Sequence, residues 1–377
     1  MLKREDFFPI FFSTIKHYYK EVHGVKIEID FSTKKDCNLV IKPFLSAAVS
    51  PKLSSKARRF FYSEWNIKSS FLKFILAKIG VFVLTHSRKS FAIYKFKVYP
   101  ENVLDENIVI APNNRSIRIF NYNENKVGCI IKEGFTHKYF DNQLNFRLNH
   151  NYDFILPLIK YGKSWFIEPI MVGHPLARVT DRIHFEDGKK EALKDISLLA
   201  NDTLELIDAE SYVSTLQTKI NGLVKKAIIS KNIMKGQATL SIINNLKFDF
   251  RTFKEIPICD SHGDFQEGNI WLDNNHKVWI YDWETVDKRS VWYDTSVLLF
   301  SLRNNFGWKK FFNIEQPVEI LNCDKRKQYS NNDFINIRNI ILLEDIVFYL
   351  EDMLELPSYW GNDIYDNFIN RIEKYIV

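Results

Sequence analysis

The sequence predicts an α+β fold of two lobes, a small β-rich lobe followed by a larger helical one. Two patterns predict it. From about 105 to 172 the chain runs in short β-type segments split by Pro and Asn turns, whereas beyond Gly173 apolar residues recur at helical spacing. Composition agrees with a globular chain, since 46% of the 377 residues are hydrophobic and 26% charged. The expected division is an N-terminal basic and aromatic extension over 1–104, a first lobe over 105–172 and a second over 173–377.

Taken in order, a helix is expected from Asp6 to Glu21, then two strand-like runs, VKIEID and CNLVIKPF. Residues 52–97 follow with eleven Lys or Arg against one acid, Glu64. Such a segment reads as a solvated face that packs its aromatics on the fold, or as a contact to an acidic surface such as the inner face of a membrane. Its apolar stretch from Phe71 to Thr85 is broken by Lys73 and Lys78 and is too short to span a bilayer. The β-type runs NIVIA, SIRIFNY, VGCIIK, ILPLI and SWFIEPI come next, interrupted by a helix near Lys138 to Asn149 with Phe140, Leu144 and Leu148 on one face. Farther on, Tyr212, Leu216, Ile220, Leu223 and Val224 mark a core-facing helix, and helices resume from about Tyr293.

The function classes narrow by exclusion. The four cysteines lie far apart, without CxxC or zinc-type His spacing, so structural thiols in a reducing cytoplasm are expected. MLKREDFF has charges where a signal peptide would turn apolar. YGKS at 161–164 imitates the end of a P-loop, but Pro157 stands where its first glycine belongs. No nucleic-acid partner is expected. Lys, Asn, Ile and Phe usage points to an AT-rich bacterial genome.

The segment that carries chemistry is HGDFQEGNIWLD, followed by NNHK and VWIYDW. Two strand-forming runs around a polar loop make a β-hairpin, and a four-residue loop would set Asp273 opposite Val278 and Asn269 opposite Asp282. An amide oxygen and a carboxylate so placed are donors that Mg²⁺ accepts, with substrate phosphates filling other positions. Asp264, on the loop feeding the hairpin, can take the proton of a hydroxyl attacking a phosphoryl group.

HGDFQEGN followed by IYDWE resembles the signature of the aminoglycoside phosphotransferase and choline kinase superfamily, which has a protein-kinase-like two-lobe fold. The resemblance implies Mg-ATP-dependent transfer of the γ-phosphate to a hydroxyl. It makes 262–269 the catalytic loop, with Asp264 the base, and 280–284 the metal-binding segment, with Asn269 and Asp282 the Mg²⁺ ligands. By the same likeness Glu284 is an acid near metal and substrate, Asp294 opens a helix and braces the loops, and His262 is support. Fainter matches make Lys132 the phosphate-binding lysine and give Glu168 to Met171 the backbone hydrogen bonds to adenine. The chain departs from the family where Gln143 stands in place of the first-lobe glutamate, where the loop PNNRS lacks glycine, and over its first hundred residues.

The acceptor is expected to be a sugar or cell-surface glycan hydroxyl. The alternatives are a cationic small molecule, choline-like or an aminoglycoside, and a pseudokinase-like scaffold acting through the N-terminal region. For the cationic acceptor the segment from Leu342 to Asp366 offers the acids Glu344, Asp345, Glu351, Asp352 and Glu355 among Phe348, Tyr349, Tyr359 and Trp360, although an amphipathic helix with a solvated acidic face has the same look.

Overall fold

The computed structural model describes residues 7–31, 36–64, 71–87, 89–92, 94–231, 233–251, 253–314, 320, 322–324, 328–355 and 358–376. It is α+β and forms two compact units, Met1–Phe185 with Trp271–Ile280, and Glu186–Ile270 with Tyr281–Val377.

In the first unit nine strands make one sheet: β1 (Glu28–Asp30), β2 (Leu39–Lys42), β3 (Ala47–Val49), β4 (Tyr94–Tyr99), β5 (Ile108–Pro112), β6 (Ser116–Asn121), β7 (Lys126–Ile131), β8 (Lys160–Tyr161) and β9 (Trp165–Pro169). Their order is β1-β4-β2-β3-β5-β6-β7-β9-β8. The region expected as a separate extension therefore supplies four of these strands, and β3 joins them to β5 with Ala48 opposite Ile110. No boundary falls at 104.

Strand alternation decides what each face meets. Ile108, Ile110, Ile117, Ile119 and Ile130 share a core with α1 (Phe7–His23), whose Phe7, Phe11, Ile15 and Tyr18 recur on one stripe. On the opposite face Val109 packs with α2 (Ser55–Glu64) and α3 (Phe71–His86), and Cys129 and Ile131 pack with α4 (Lys138–Asn149). Gly128 lies on the α1 face, where a Cβ would come 2.0 Å from the Tyr18 hydroxyl. Tyr18 is buried and has no room to withdraw. Gly128→Ala should therefore cost about 1–3 kcal/mol of stability by overpacking, read from the urea midpoint. An unshifted midpoint would mean that α1 does not dock on β7.

The hairpin also lies mostly in this unit. β10 (Gly173–Pro175), β13 (Ile270–Asp273) and β14 (Val278–Ile280) form a small sheet, with Gly173 opposite Asp273. The expected second lobe is thus not one continuous run from 173. Its register differs from expectation by one residue. The Asp273 amide donates to Lys277 O at 3.0 Å and the Tyr281 amide to Asn269 O at 2.8 Å, so Asn269 faces Tyr281 rather than Asp282. The loop is three residues long because His276 adopts a left-handed conformation (φ 63°) and Asp273 Oδ1 accepts the amides of Asn275 and Lys277.

In the second unit β11 (Glu205–Asp208), β12 (Glu255–Ser261) and β15 (Asp287–Ser290) pair antiparallel with β12 central. Most of α5 (Arg182–Asp202) belongs here, with α6 (Ala209–Lys231), α7 (Gly236–Asn245), α8 (Tyr293–Phe300), α9 (Gly307–Phe312), α10 (Asn331–Glu355) and α11 (Ser358–Ile376). Leu216, Ile220 and Val224 of α6 are buried in one core with Ile337 and Ile341 of α10 and Tyr365 and Ile369 of α11. Tyr212 and Leu223 border the same core, so the helical stripe expected from the sequence is the one that packs.

Candidate active site

The second unit builds the site on the loop after β12. His262 follows the strand, is fully buried, and sets its ring 4.7 Å from that of Trp283 at a tilt of 49°. Its Nε2 donates to Tyr281 O at 2.8 Å, which leaves Nδ1 to accept the Asp264 amide at 3.2 Å. A ring with both nitrogens engaged inside the loop is a fixed support for Asp264 and has no geometry for proton transfer to a substrate. Gly263 turns the chain with φ +85°, and a Cβ there would lie 2.5 Å from Thr285 O. Only glycine suits both the conformation and the space. Asp294, buried in the first turn of α8, accepts the His262 amide at 2.7 Å and the Gly263 amide at 3.0 Å.

Asp264 is held from both oxygens. Oδ1 accepts Arg303 Nε at 2.8 Å, and Oδ2 accepts Gln266 Nε2 at 2.8 Å and Asn269 Nδ2 at 3.0 Å. Its side chain keeps 22% of its surface exposed, so it is reachable as well as fixed. Burial alone would push the carboxyl up. The adjacent Arg303 guanidinium and its hydrogen bond outweigh that and hold it below the ordinary carboxylate range. The group is therefore ionised at neutral pH and able to accept a proton.

Asn269 Nδ2 also donates to Asp264 O at 2.8 Å. With its nitrogen committed, its amide oxygen is the atom to offer a cation. Asp282 comes one residue past the Asn269–Tyr281 pair, in a left-handed conformation (φ 66°, ψ 55°) that ends the strand and opens the turn carrying Glu284. A hard-oxygen pair of this kind fits Mg²⁺, which takes one or two protein oxygens and completes its shell with phosphates and water. Among the described residues no three His, Cys, Asp or Glu side chains form a metal cage.

Arg303 and its supports escaped the sequence reading. Arg303 Nη1 donates to Asp345 Oδ1 at 2.5 Å, and Nη2 to Gly263 O at 2.8 Å and to the Tyr293 hydroxyl at 3.0 Å. Asp345 is wholly buried and also accepts Tyr293 Oη and Trp308 Nε1. Nothing local in SLRNN marks this arginine. Its neighbour Glu344 is likewise internal, accepting the Ser290 amide, the Ser290 hydroxyl and the Tyr212 hydroxyl. Neither acid belongs to a solvated face or to a wall for a cationic ligand.

Burial pushes the Glu344 carboxyl up from 4.5 to about 7. The folded chain thus favours its protonated form, and the stability this gives at low pH is lost as pH rises from 4.5 to about 7. Glu344→Gln cannot ionise. It should flatten the fall of Tm across that interval, a difference on the order of 3 kcal/mol at most. Parallel Tm–pH curves for parent and variant would show that Glu344 does not titrate there.

The nucleotide-binding residues expected from the fainter resemblance lie in the first unit, where the Lys132 and Glu168 side chains have protein partners; the adenine contacts expected of 168–171 are backbone ones. Lys132 follows the last residue of β7, and its ammonium lies 5.3 Å from the centre of the Phe135 ring. It is buried, and its Nζ donates to Asn114 O at 3.0 Å. The α4 side of β7 carries Cys129 and Ile131 and no lysine. Glu168 is a residue of β9 opposite Val127, and its carboxylate lies 2.7 Å from Arg147 of α4, with both side chains buried. Met171 is partly exposed in the loop beyond β9.

No family model matches the sequence, and no curated protein matches it. Solved structures do resemble it. Ethanolamine kinase of Plasmodium vivax is 12% identical with a TM-score of 0.45, covering 86% of this chain and 95% of its own. Choline kinase of Cryptosporidium parvum is 14% identical with a TM-score of 0.43, covering 73% and 91%. A type VIII aminoglycoside-3'-phosphotransferase is 14% identical with a TM-score of 0.42, covering 63% and 90%. Likeness at this level assigns no activity to the chain.

Proposed function

We propose that this chain is a phosphotransferase that moves the γ-phosphoryl group of ATP to the hydroxyl of a small molecule. The observation that carries the reading is the Asp264 carboxylate, ionised, partly exposed and fixed by Arg303, Gln266 and Asn269. Asp264 orients the acceptor hydroxyl and takes its proton as the oxygen–phosphorus bond forms and the bond to the ADP oxygen breaks. The transition state of phosphoryl transfer is loose, so fixing this carboxylate matters more than raising its basicity. Asn269 and Asp282 would hold Mg²⁺, which when bound neutralises charge on the phosphates. Glu284, on the turn after Asp282, is proposed to face the same region.

No residue of the site favours the sugar or glycan hydroxyl expected from the sequence. The structures named above are those of an ethanolamine kinase, a choline kinase and an aminoglycoside phosphotransferase. A cationic amino alcohol or aminoglycoside is therefore the acceptor class to test first. A second reading, a scaffold with the fold but no turnover, is favoured by Lys132, whose Nζ donates to Asn114 O within the first unit. ADP release with Mg-ATP and pooled acceptors separates the two, with Asp264→Asn as control. Acceptor-dependent release that the variant lacks supports the kinase. Mg-ATP bound without turnover on any pool supports the scaffold, and no nucleotide binding removes the kinase reading.

A further inference from the structure

The first unit carries an apolar helix face that its own core does not use. On α3, Leu76, Ile79, Phe82 and Val83 are between 42% and 59% exposed. Leu76, Ile79 and Val83 follow one another at three and four residues, so they form one stripe, with Phe82 beside it. Isolated exposed apolar residues need no explanation, but an aligned stripe of this kind does. The helix itself is firmly seated. Val81 and Thr85 are buried on its other side, the Lys42 ammonium caps its end through Leu84 O and the Ser87 hydroxyl, and Arg58 of α2 reaches His86 at 2.7 Å.

Charge indicates what covers the stripe. The stretch 52–97 holds eleven basic residues against one acid; of these the Lys78 ammonium donates to Tyr62 O at 3.0 Å and Lys97 is buried with Asp36 and Glu101. Lys52, Lys56 and Arg59 are exposed. A second copy docked here would set one basic face against another, which costs rather than gains. A polynucleotide would meet the lysines but leave the apolar side chains wet. A surface that offers anionic groups above an apolar layer satisfies both features. The helix has 16 residues, roughly 24 Å at 1.5 Å each. No described helix is long and apolar enough to cross a membrane.

We propose that α3 is a membrane-interface helix, its Leu76, Ile79, Phe82 and Val83 entering the headgroup–acyl boundary of an anionic bilayer while surrounding Lys and Arg side chains meet the headgroups. The inference is independent of the proposed catalytic activity. It is tested by flotation of the full chain with vesicles of phosphatidylcholine alone and of phosphatidylcholine with phosphatidylglycerol. The expected result is binding to the anionic vesicles only, weakened by salt, and reduced about tenfold or more in Ile79→Asp/Phe82→Asp. Circular dichroism checks that this variant folds; if it does not, Leu76→Ser/Val83→Ser is measured in its place. No binding to anionic vesicles at low salt overturns the proposal. So does binding that a folded variant retains, which would place the lipid contact elsewhere. Self-association that the variant abolishes, without vesicle binding, would show the occupant to be a second copy and equally overturn it.

Discussion

Asp264→Asn is expected to lower kcat by about two to four orders of magnitude while leaving nucleotide affinity nearly unchanged. The amide keeps the size of the carboxylate and one acceptor oxygen, so part of the Gln266 and Asn269 network survives. What it cannot do is take a proton. It also leaves either Arg303 or the two amides facing an NH₂ group, which loosens the loop without unfolding the unit, because Arg303 keeps Asp345. The pH dependence adds a second check. With the Asp264 carboxyl held below its ordinary range, its protonation contributes no loss of rate between about pH 6 and 8. Measured kcat for the parent should therefore show no acid limb from this group near neutrality. Turnover of Asp264→Asn equal to the parent would remove Asp264 from the role of base.

How much of this was legible in the sequence depends on how local each piece is. His262, Gly263, Asp264 and Asn269 sit on one loop, so their spacing states their geometry, and the structure adds only the partners. Strands β5, β6, β7 and β9 were visible because Ile, Val and Phe alternate there. β4 was hidden, because Lys95 and Lys97 in YKFKVY read as part of a basic stretch. Lys97 is in fact buried against Asp36 and Glu101. The hairpin was visible but its register was not. NNHK looks like a four-residue loop until the Asp273 carboxylate, by accepting two amides, draws Lys277 into the ladder. Such errors of one residue matter, because in a strand one residue reverses the side chain.

Arg303 is the residue whose loss should reveal most, since it contacts Asp264 at a separation of 39 positions. Its guanidinium joins Asp264, Gly263 O, Tyr293 and Asp345, four acceptors that only a planar fork can serve together. Its own burial works against the charge, and the Asp345 carboxylate, Tyr293, Tyr349 and Asp264 outweigh that and keep it cationic. Arg303→Met should cost about 3–5 kcal/mol, because Asp345 is then a buried carboxylate without its cation. Urea unfolding measures this, and a midpoint equal to the parent's would mean that the network does not hold the loop. A merely structural role would stop there. A positioning role predicts more: without the guanidinium the Asp264 carboxyl rises, so an acid limb in kcat moves toward neutrality in any Arg303→Met that remains folded. Arg303→Lys restores the charge but not the fork, and should recover stability in part while leaving kcat low. The linkage has a definite sign. Asp264 is depressed in the folded chain, so what this pair adds to stability is present above the usual carboxylate value of about 3.9 and is lost as pH falls through the lower folded value. As far as Asp264 is concerned, the stability gap between parent and Arg303→Met narrows on acidification and levels off only above the raised value that the Asp264 carboxyl takes in the variant. A gap that instead narrowed toward alkaline pH would show that the arginine is coupled to some other titrating group.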